Sequence, residues 1–231
     1  MGELAASVAH ELNNPLATVI LRVESVLART SADDPRRRAL EIVEQEAKRM
    51  GDLVANLLQF SRRGDGQTST VDIRYEVTKA VELIHHILRT RLINVALEFA
   101  PETPNIFADR QKLRQVFLNL LTNASDAMPK GGTLALRTAP ATLENGKPGV
   151  LIELLDTGAG IPPENLGRIM EPFFTTKEEG KGTGLGLAIC RRIIQEHNGV
   201  FQITSEVGRG TNVLIVLPLK NDANVERVRQ S

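Results

Sequence analysis

The sequence predicts an α hairpin forming a dimeric four-helix bundle, followed by an α+β two-layer sandwich. Over about the first 60 residues, apolar side chains recur at three- and four-residue steps, the spacing of one helix face. After Gly66 short strands and helices alternate, punctuated by Gly and Pro. Aromatics make up only 3% of the chain, with no Trp, one Tyr and seven Phe, so Leu, Ile, Val and Ala must build the core. That composition suits long packed helices. The predicted division is a helical domain at 1–65 and a second domain at 66–231.

The first helix places Leu4, Val8, Leu12, Leu16, Val19, Val23 and Val26 along one stripe. Asp33-Asp34-Pro35 then reads as a cap followed by proline at the first helical position. Leu40, Val43, Ala47, Met50, Val54 and Leu57 continue in strict three-four alternation, a heptad seam on a second helix. At 1.5 Å rise per residue that helix is about 40 Å long, and it stops at Arg62-Arg63-Gly64-Asp65-Gly66-Gln67. Ile20, Leu27, Leu53 and Leu58 lie off the seams. A two-helix layer cannot cover both sets; pairing of two hairpins into a homodimeric bundle covers them, and docking of the hairpin on the rest of the same chain is the plain alternative.

Beyond Gly66, strands are expected at 71–73, 95–99, 105–108, 133–138, 150–156, 200–204 and 211–217, and helices at 75–89, 110–128 and 185–197. This order gives one sheet against one helical layer. Lys+Arg 28 against Asp+Glu 28 leaves no net field to gather nucleic acid or anionic lipid. Cys190, the one cysteine, cannot pair within the chain, and with four histidines a Cys/His zinc site is disfavoured. No apolar run approaches the ~18 to 20 residues of a membrane span. These features fit a cytoplasmic chain without a membrane segment.

Four clusters carry chemistry. His10 lies off the apolar stripe of the first helix, with Glu3, Ser7, Asn14 and Ala17 at three- and four-residue steps from it. Glu11 is adjacent in sequence, and Pro15 removes the N–H that would meet the Glu11 carbonyl, a local rule broken beside an outward-facing histidine. A solvated surface histidine is the plain alternative. Next, Asn119 and Asn123 share one helix face, and an amide oxygen is a hard ligand suited to Mg²⁺. Buried, capped amides would look the same. Asp156-Thr157-Gly158-Ala159-Gly160 ends an apolar strand with a carboxylate that can accept from an amino group, adenine N6 being one candidate. A strand-to-turn transition has that composition too. Finally, Gly180-Lys181-Gly182-Thr183-Gly184-Leu185-Gly186 opens into a helix, where small residues expose backbone N–H groups and the helix dipole to a polyphosphate. Phe173 and Phe174, between the last two clusters, read as the hydrophobic latch of a lid.

Together and in this order the clusters resemble the sensor histidine kinases of two-component signalling. Residues 2–20 look like the H box, 119–123 the N box, 156–160 the G1 box, 171–177 the F box, 180–186 the G2 box and 208–211 a last glycine-threonine motif. The resemblance implies a dimerisation and histidine-phosphotransfer hairpin followed by a GHKL-type ATPase fold. It also implies an ATP- and Mg²⁺-dependent kinase that phosphorylates His10 and passes the phosphate to an aspartate of a response regulator receiver domain. In that scheme Glu11 orients His10 and takes its proton, and Asn14 aligns water when the regulator is dephosphorylated. Asn123 binds Mg²⁺, with Asn119 in support; Asp156, in the motif with Gly158 and Gly160, holds adenine, with Thr211 nearby through water. Lys177, Lys181 and the segment Gly182, Thr183, Gly184, Leu185 and Gly186 receive the triphosphate.

Asn119 stands where the ATP-hydrolysing branches of the superfamily place a Glu base, which favours transfer to a side chain over hydrolysis. Two departures stand out. Asp126 occupies a position where many kinases carry Lys, for which Lys177 or Lys181 could substitute. No sensory region precedes His10, so the chain reads as an excised core of a parent attached to membrane elsewhere, or as a member signalled by another chain. The competing reading is a nucleotide-sensing dimer that binds a response regulator and acts mainly as its phosphatase.

Overall fold

A computed structural model describes residues 2–61, 67–177 and 182–220. The chain divides into two units, Met1–Asp65 with Pro172–Leu185, and Gly66–Glu171 with Gly186–Ser231.

In the first unit, α1 (Gly2–Leu27) and α2 (Arg37–Ser61) pack as a hairpin. Helix α1 runs through Pro15 without interruption. Among the described residues Leu16 and Ala47 are the buried apolar positions of the hairpin, and Gly51 sits where an added methyl would lie 3.5 Å from Leu16 Cδ2. Arg37 at the start of α2 donates to the carbonyls of Leu27 and Thr30 at 3.4 and 2.7 Å, closing the open C-terminus of α1. Lys48 on α2 bridges to Glu24 on α1 at 2.9 Å.

One expectation is corrected here. Asp34 does act as a cap, accepting the Arg36 N–H at 2.8 Å, but residues 35 and 36 form a tight turn and the α-helix is counted from Arg37 instead of Pro35. Along the predicted seam of α2 burial is uneven. Ala47 is 1% exposed, whereas Val43 and Met50 are 47% and 49% exposed. Leu53, Leu57 and Leu58 lie outside the described side chains.

The second unit is a two-layer sandwich. Its strands are β1 (Thr68–Val71), β2 (Ile93–Phe99), β3 (Ile106–Asp109), β4 (Gly132–Thr142), β5 (Pro148–Asp156), β6 (Val200–Glu206) and β7 (Gly210–Pro218). Its helices are α3 (Ile73–Thr90), α4 (Arg110–Ala127), the short α5 (Pro163–Leu166) and α6 (Gly186–Glu196). Five strands form a mixed sheet in the order β2-β4-β5-β7-β6, with β2 parallel to β4 and the rest antiparallel; β1 and β3 pair separately. The period of two decides which side is core. Leu134, Leu136 and Thr138 of β4, Val150, Ile152 and Leu154 of β5, and Val213, Ile215 and Leu217 of β7 are buried on one face. Each fully buried aliphatic side chain among them contributes about 1.5–3 kcal/mol.

The expected strand at 71–73 is displaced, because Asp72 caps α3 by accepting the Arg74 N–H at 2.9 Å, and helix begins at Ile73. The helices are fixed to one another by polar ties. Glu76 of α3, fully buried, takes Arg114 of α4 on Oε2 at 2.8 and 3.2 Å, while its Oε1 has only an ion-pair contact with Arg110 at 3.4 Å. His197, just past α6, accepts the Asp109 N–H on Nε2 at 3.0 Å and donates from Nδ1 to the Ile193 carbonyl at 2.8 Å. These two bonds join the end of α6 to the start of α4.

Candidate active site

The first group of site residues collects where β5 and β6 end and β7 begins. Asp156 pairs across the sheet with Thr211, and Thr211 with Ser205, so the three side chains lie in one row on the core-facing side. They line one open pocket. Asp156 is only 7% exposed. Its Oδ1 accepts the N–H of Gly158 at 2.8 Å and of Thr211 at 3.2 Å, and its Oδ2 receives no bond among the described residues. Burial raises the carboxyl pKa above the ordinary value, and the two backbone bonds partly offset the rise.

The loop after Asp156 is held by close backbone packing. A Cβ on Gly158 would lie 2.7 Å from the Ala127 methyl, and Ala159 N–H donates to the Ala127 carbonyl at 3.0 Å, fastening the loop to the end of α4. Gly160 has a φ of +72°, and a side chain there would strike the Glu206 carbonyl, so glycine is required twice over. The Ala159 carbonyl in turn accepts the Gly208 N–H at 2.8 Å. The two glycine motifs, some fifty residues apart in sequence as judged from their positions, are thus one structure.

A second group lies on α4 and the start of α6. Asn119 donates to the Gly186 carbonyl at 3.4 Å, and a Cβ on Gly186 would lie 3.9 Å from both the Asn119 and Asn123 amides. The two amides therefore converge where α6 exposes its first N–H groups. Beneath them Cys190 is buried, its thiol pushed up to about 12 chiefly by burial, with Asn119 as a hydrogen-bond partner acting the other way. Such a thiol is inert at neutral pH. Asp126, a departure in the sequence pattern, meets Arg91 at 2.6 Å, and the same guanidinium nitrogen reaches Ser125 at 3.0 Å. Its charge is balanced.

The remaining site residues belong to the other unit. Within Pro172–Leu185 the Phe173 N–H donates to the Gly184 carbonyl at 2.9 Å, closing the segment at its base. Gly184 has a φ of +64°, and any side chain there would collide with the Phe173 backbone. A methyl on Gly182 would lie 2.5 Å from Thr175 Oγ1 and 3.2 Å from Lys177 Cδ, so Gly182 and Lys177 are neighbours. Thr183 turns its hydroxyl back to accept the Leu185 N–H at 3.3 Å. Phe173 is 65% exposed with a φ of +69°. Lys181 lies outside the described residues. His10 and Glu11 are on the backbone of α1, with side chains outside the described set, and Asn14, one turn on, is exposed.

Sequence reasoning missed Ser205, Arg91 and His197, which support the site without belonging to any glycine-rich or amide motif. A serine at the core-facing parity of β6 was the available signal for Ser205.

Two stretches of the chain match known families. Residues 1–66 match the family model of the His Kinase A (phospho-acceptor) domain, and residues 108–221 that of the histidine kinase-, DNA gyrase B- and HSP90-like ATPase. Sporulation kinase C of Bacillus subtilis is 38% identical over 96% of this chain and 50% of its own length. Among solved structures, full-length ShkA in complex with AMPPNP superposes with a TM-score of 0.77 at 26% identity, over 94% of this chain and 46% of that one. Histidine kinase ThkA in complex with response regulator protein TrrA gives 0.67 at 25% identity, over 96% of this chain and 62% of that one. The chain spans half or less of the length of the first curated relatives it matches.

Proposed function

This chain belongs to the histidine kinases of two-component systems, and on that premise we propose that it phosphorylates its own His10 from ATP and passes the phosphoryl group to an aspartate of a response regulator. The observation that carries the nucleotide half is Asp156: a buried carboxylate with Oδ1 satisfied by its own backbone and Oδ2 open to an amine. Adenine N6 is the amine of the right reach. The converging amides of Asn119 and Asn123 beside the N-terminus of α6 suit phosphates and a hard cation, and Asn123 is the residue we assign to Mg²⁺. When bound, that ion would neutralise charge on the phosphate chain.

In the transfer step, a neutral His10 nitrogen forms the bond to the γ-phosphorus as the bond to the departing ADP oxygen breaks, and Glu11 accepts the imidazole proton. Lys177, Lys181 and the backbone of Gly182, Gly184 and Gly186 receive the phosphate charge, with Thr183 and Leu185 in the same segment. Asn119 is an amide and cannot activate water as a base, so the histidine is the acceptor. The exposed stripe of Val19, Val26, Val43 and Met50 supports pairing with a second hairpin. Asn14, exposed one turn from His10, suits water alignment during dephosphorylation of the regulator. The second reading, in which the chain acts mainly as a phosphatase, draws on Asn14 and on Asp126, which stands where many kinases carry a lysine and is paired with Arg91 at 2.6 Å. We also propose that the functional domains are 1–65 and 66–231.

Incubation with γ-labelled ATP, Mg²⁺ and a panel of receiver domains tests the proposal. Label is expected first on the chain and then on one receiver. Multiple-turnover phosphate release without any phosphorylated intermediate would instead make the chain an ATPase.

A further inference from the structure

Asp126 is the one acidic residue of α4, and nothing in the proposed reaction uses it. It lies three residues after Asn123 and seven after Asn119, steps that place all three on one helix face, with adjacent Cβ atoms about 5–6 Å apart. An unopposed carboxylate on that face would repel a phosphate chain. Arg91 opposes it from the side of α3, which it caps, its backbone N–H donating to the Ile87 carbonyl at 3.0 Å. The turn after α4 packs against that cap, for a Cβ on Gly131 would lie 2.9 Å from the Leu92 carbonyl oxygen and 3.5 Å from that of Arg91. From this base Arg91 Nη1 donates to Asp126 Oδ1 at 2.6 Å and to the buried Ser125 hydroxyl at 3.0 Å. Ser125 stands about three turns beyond Arg114, on the stripe of α4 that meets Glu76 of α3. A guanidinium held on both therefore draws the carboxylate toward α3 and off the face of the amides. The two side chains are 36% and 27% exposed, so their charges interact more strongly than on an open surface.

We infer that Arg91 is a positioning residue for phosphate binding, which turns the Asp126 carboxylate off the Asn119–Asn123 face and cancels its charge so that a triphosphate can approach the start of α6. The inference rests on the proposal that phosphates meet those two amides. Arg91 acts through Asp126 and not by contact with the nucleotide, so its effect should scale with the charge of the ligand and vanish when Asp126 is neutral.

The test is to titrate ATP, ADP and AMP, with Mg²⁺, onto the wild-type chain, Arg91→Met, Arg91→Lys, Asp126→Asn and the double variant Arg91→Met/Asp126→Asn. Arg91→Met should weaken ATP by about tenfold, ADP by less and AMP least, the order of their charges. Arg91→Lys keeps the charge, and the double variant removes the need for it, so both should bind ATP near the wild-type level. Equal weakening of the three nucleotides in Arg91→Met, or no recovery in the double variant, would reduce the pair to a structural tie and overturn the inference. Should Arg91→Met fail to fold, Asp126→Asn decides. ATP affinity at or above wild type supports the inference, and a loss means that the carboxylate itself serves the site and rejects it. A wild type that binds none of the three would reject the nucleotide site as a whole, an outcome distinct from an altered dependence on charge.

Discussion

On α1 and α2, Val19, Val26, Ile42, Val43 and Met50 are 42–49% exposed, while across β4 and β7 Leu134, Leu136, Ile215 and Leu217 are 2% exposed or less. Both regions draw on the same aliphatic residue types, so composition does not explain the contrast. Geometry does. A sheet covered by α3, α4 and α6 encloses the face made by every second residue, whereas a two-helix hairpin buries one stripe per helix and leaves the next uncovered. The sheet-based unit carries a core of its own, and in the proposed dimer the hairpin supplies half of one. A phosphate donor benefits from a stable, fully packed scaffold, and a phosphate acceptor built on paired helices leaves a surface for a partner to read.

Breaking the hairpin side should give the largest effect. Val43→Glu would bury a charge in the proposed bundle from each subunit, and the dimer should weaken by over a hundredfold, roughly 3 kcal/mol or more. Analytical ultracentrifugation reads that change, and nucleotide affinity in the same variant should stay near wild type. Asp156→Asn strikes the other side. Loss of a charged acceptor should weaken ATP binding by about ten- to a hundredfold, with the dimer intact.

Asp156 also predicts a pH dependence with opposed signs. Burial raises its pKa above 3.8 in the folded chain, so the folded state binds the proton more tightly than the unfolded chain. The residue's contribution to stability is full below pH 3.8 and is lost as pH rises through the raised value. Nucleotide binding needs the carboxylate, so affinity should rise over that same interval. Thermal unfolding and ATP titration across mildly acid pH should therefore move in opposite directions, and Asp156→Asn should flatten both. The smallest expected effect is a gain. Gly51→Ala places a methyl at ordinary contact distance from Leu16 and removes a helix-interior glycine, which should stabilise the hairpin by about 0.5–1 kcal/mol in thermal unfolding.

Much of this was legible before any coordinates, and the contrast between the two regions explains what was not. Steps of three and four from Leu4 to Val26 and from Leu40 to Leu57 identify helices, because the period is local. They do not say which stripe meets which helix, and among the described members of the second stripe Ala47, the smallest, is the buried one. The motifs around Asn119, Asp156 and Gly182 were visible because their chemistry requires amides, a carboxylate or absent side chains at short spacing. Ser205, Arg91 and His197 were invisible as partners because each acts across 6 to 88 positions of sequence, through pairings that only the folded chain creates. Asp72 as a cap was readable, a carboxylate directly before an apolar-periodic run, and it corrected the supposed strand.

The central claim is a division of labour in which the sheet-based unit holds ATP and the hairpin receives its phosphate. Its most direct test is to incubate the chain with γ-labelled ATP and Mg²⁺, establish the acid and alkali stability of the bound label, and repeat with His10→Gln. The account predicts acid-labile, alkali-stable label on wild type and none on the variant, with ATP binding unchanged. Label that persists in His10→Gln, or that survives acid, would contradict it.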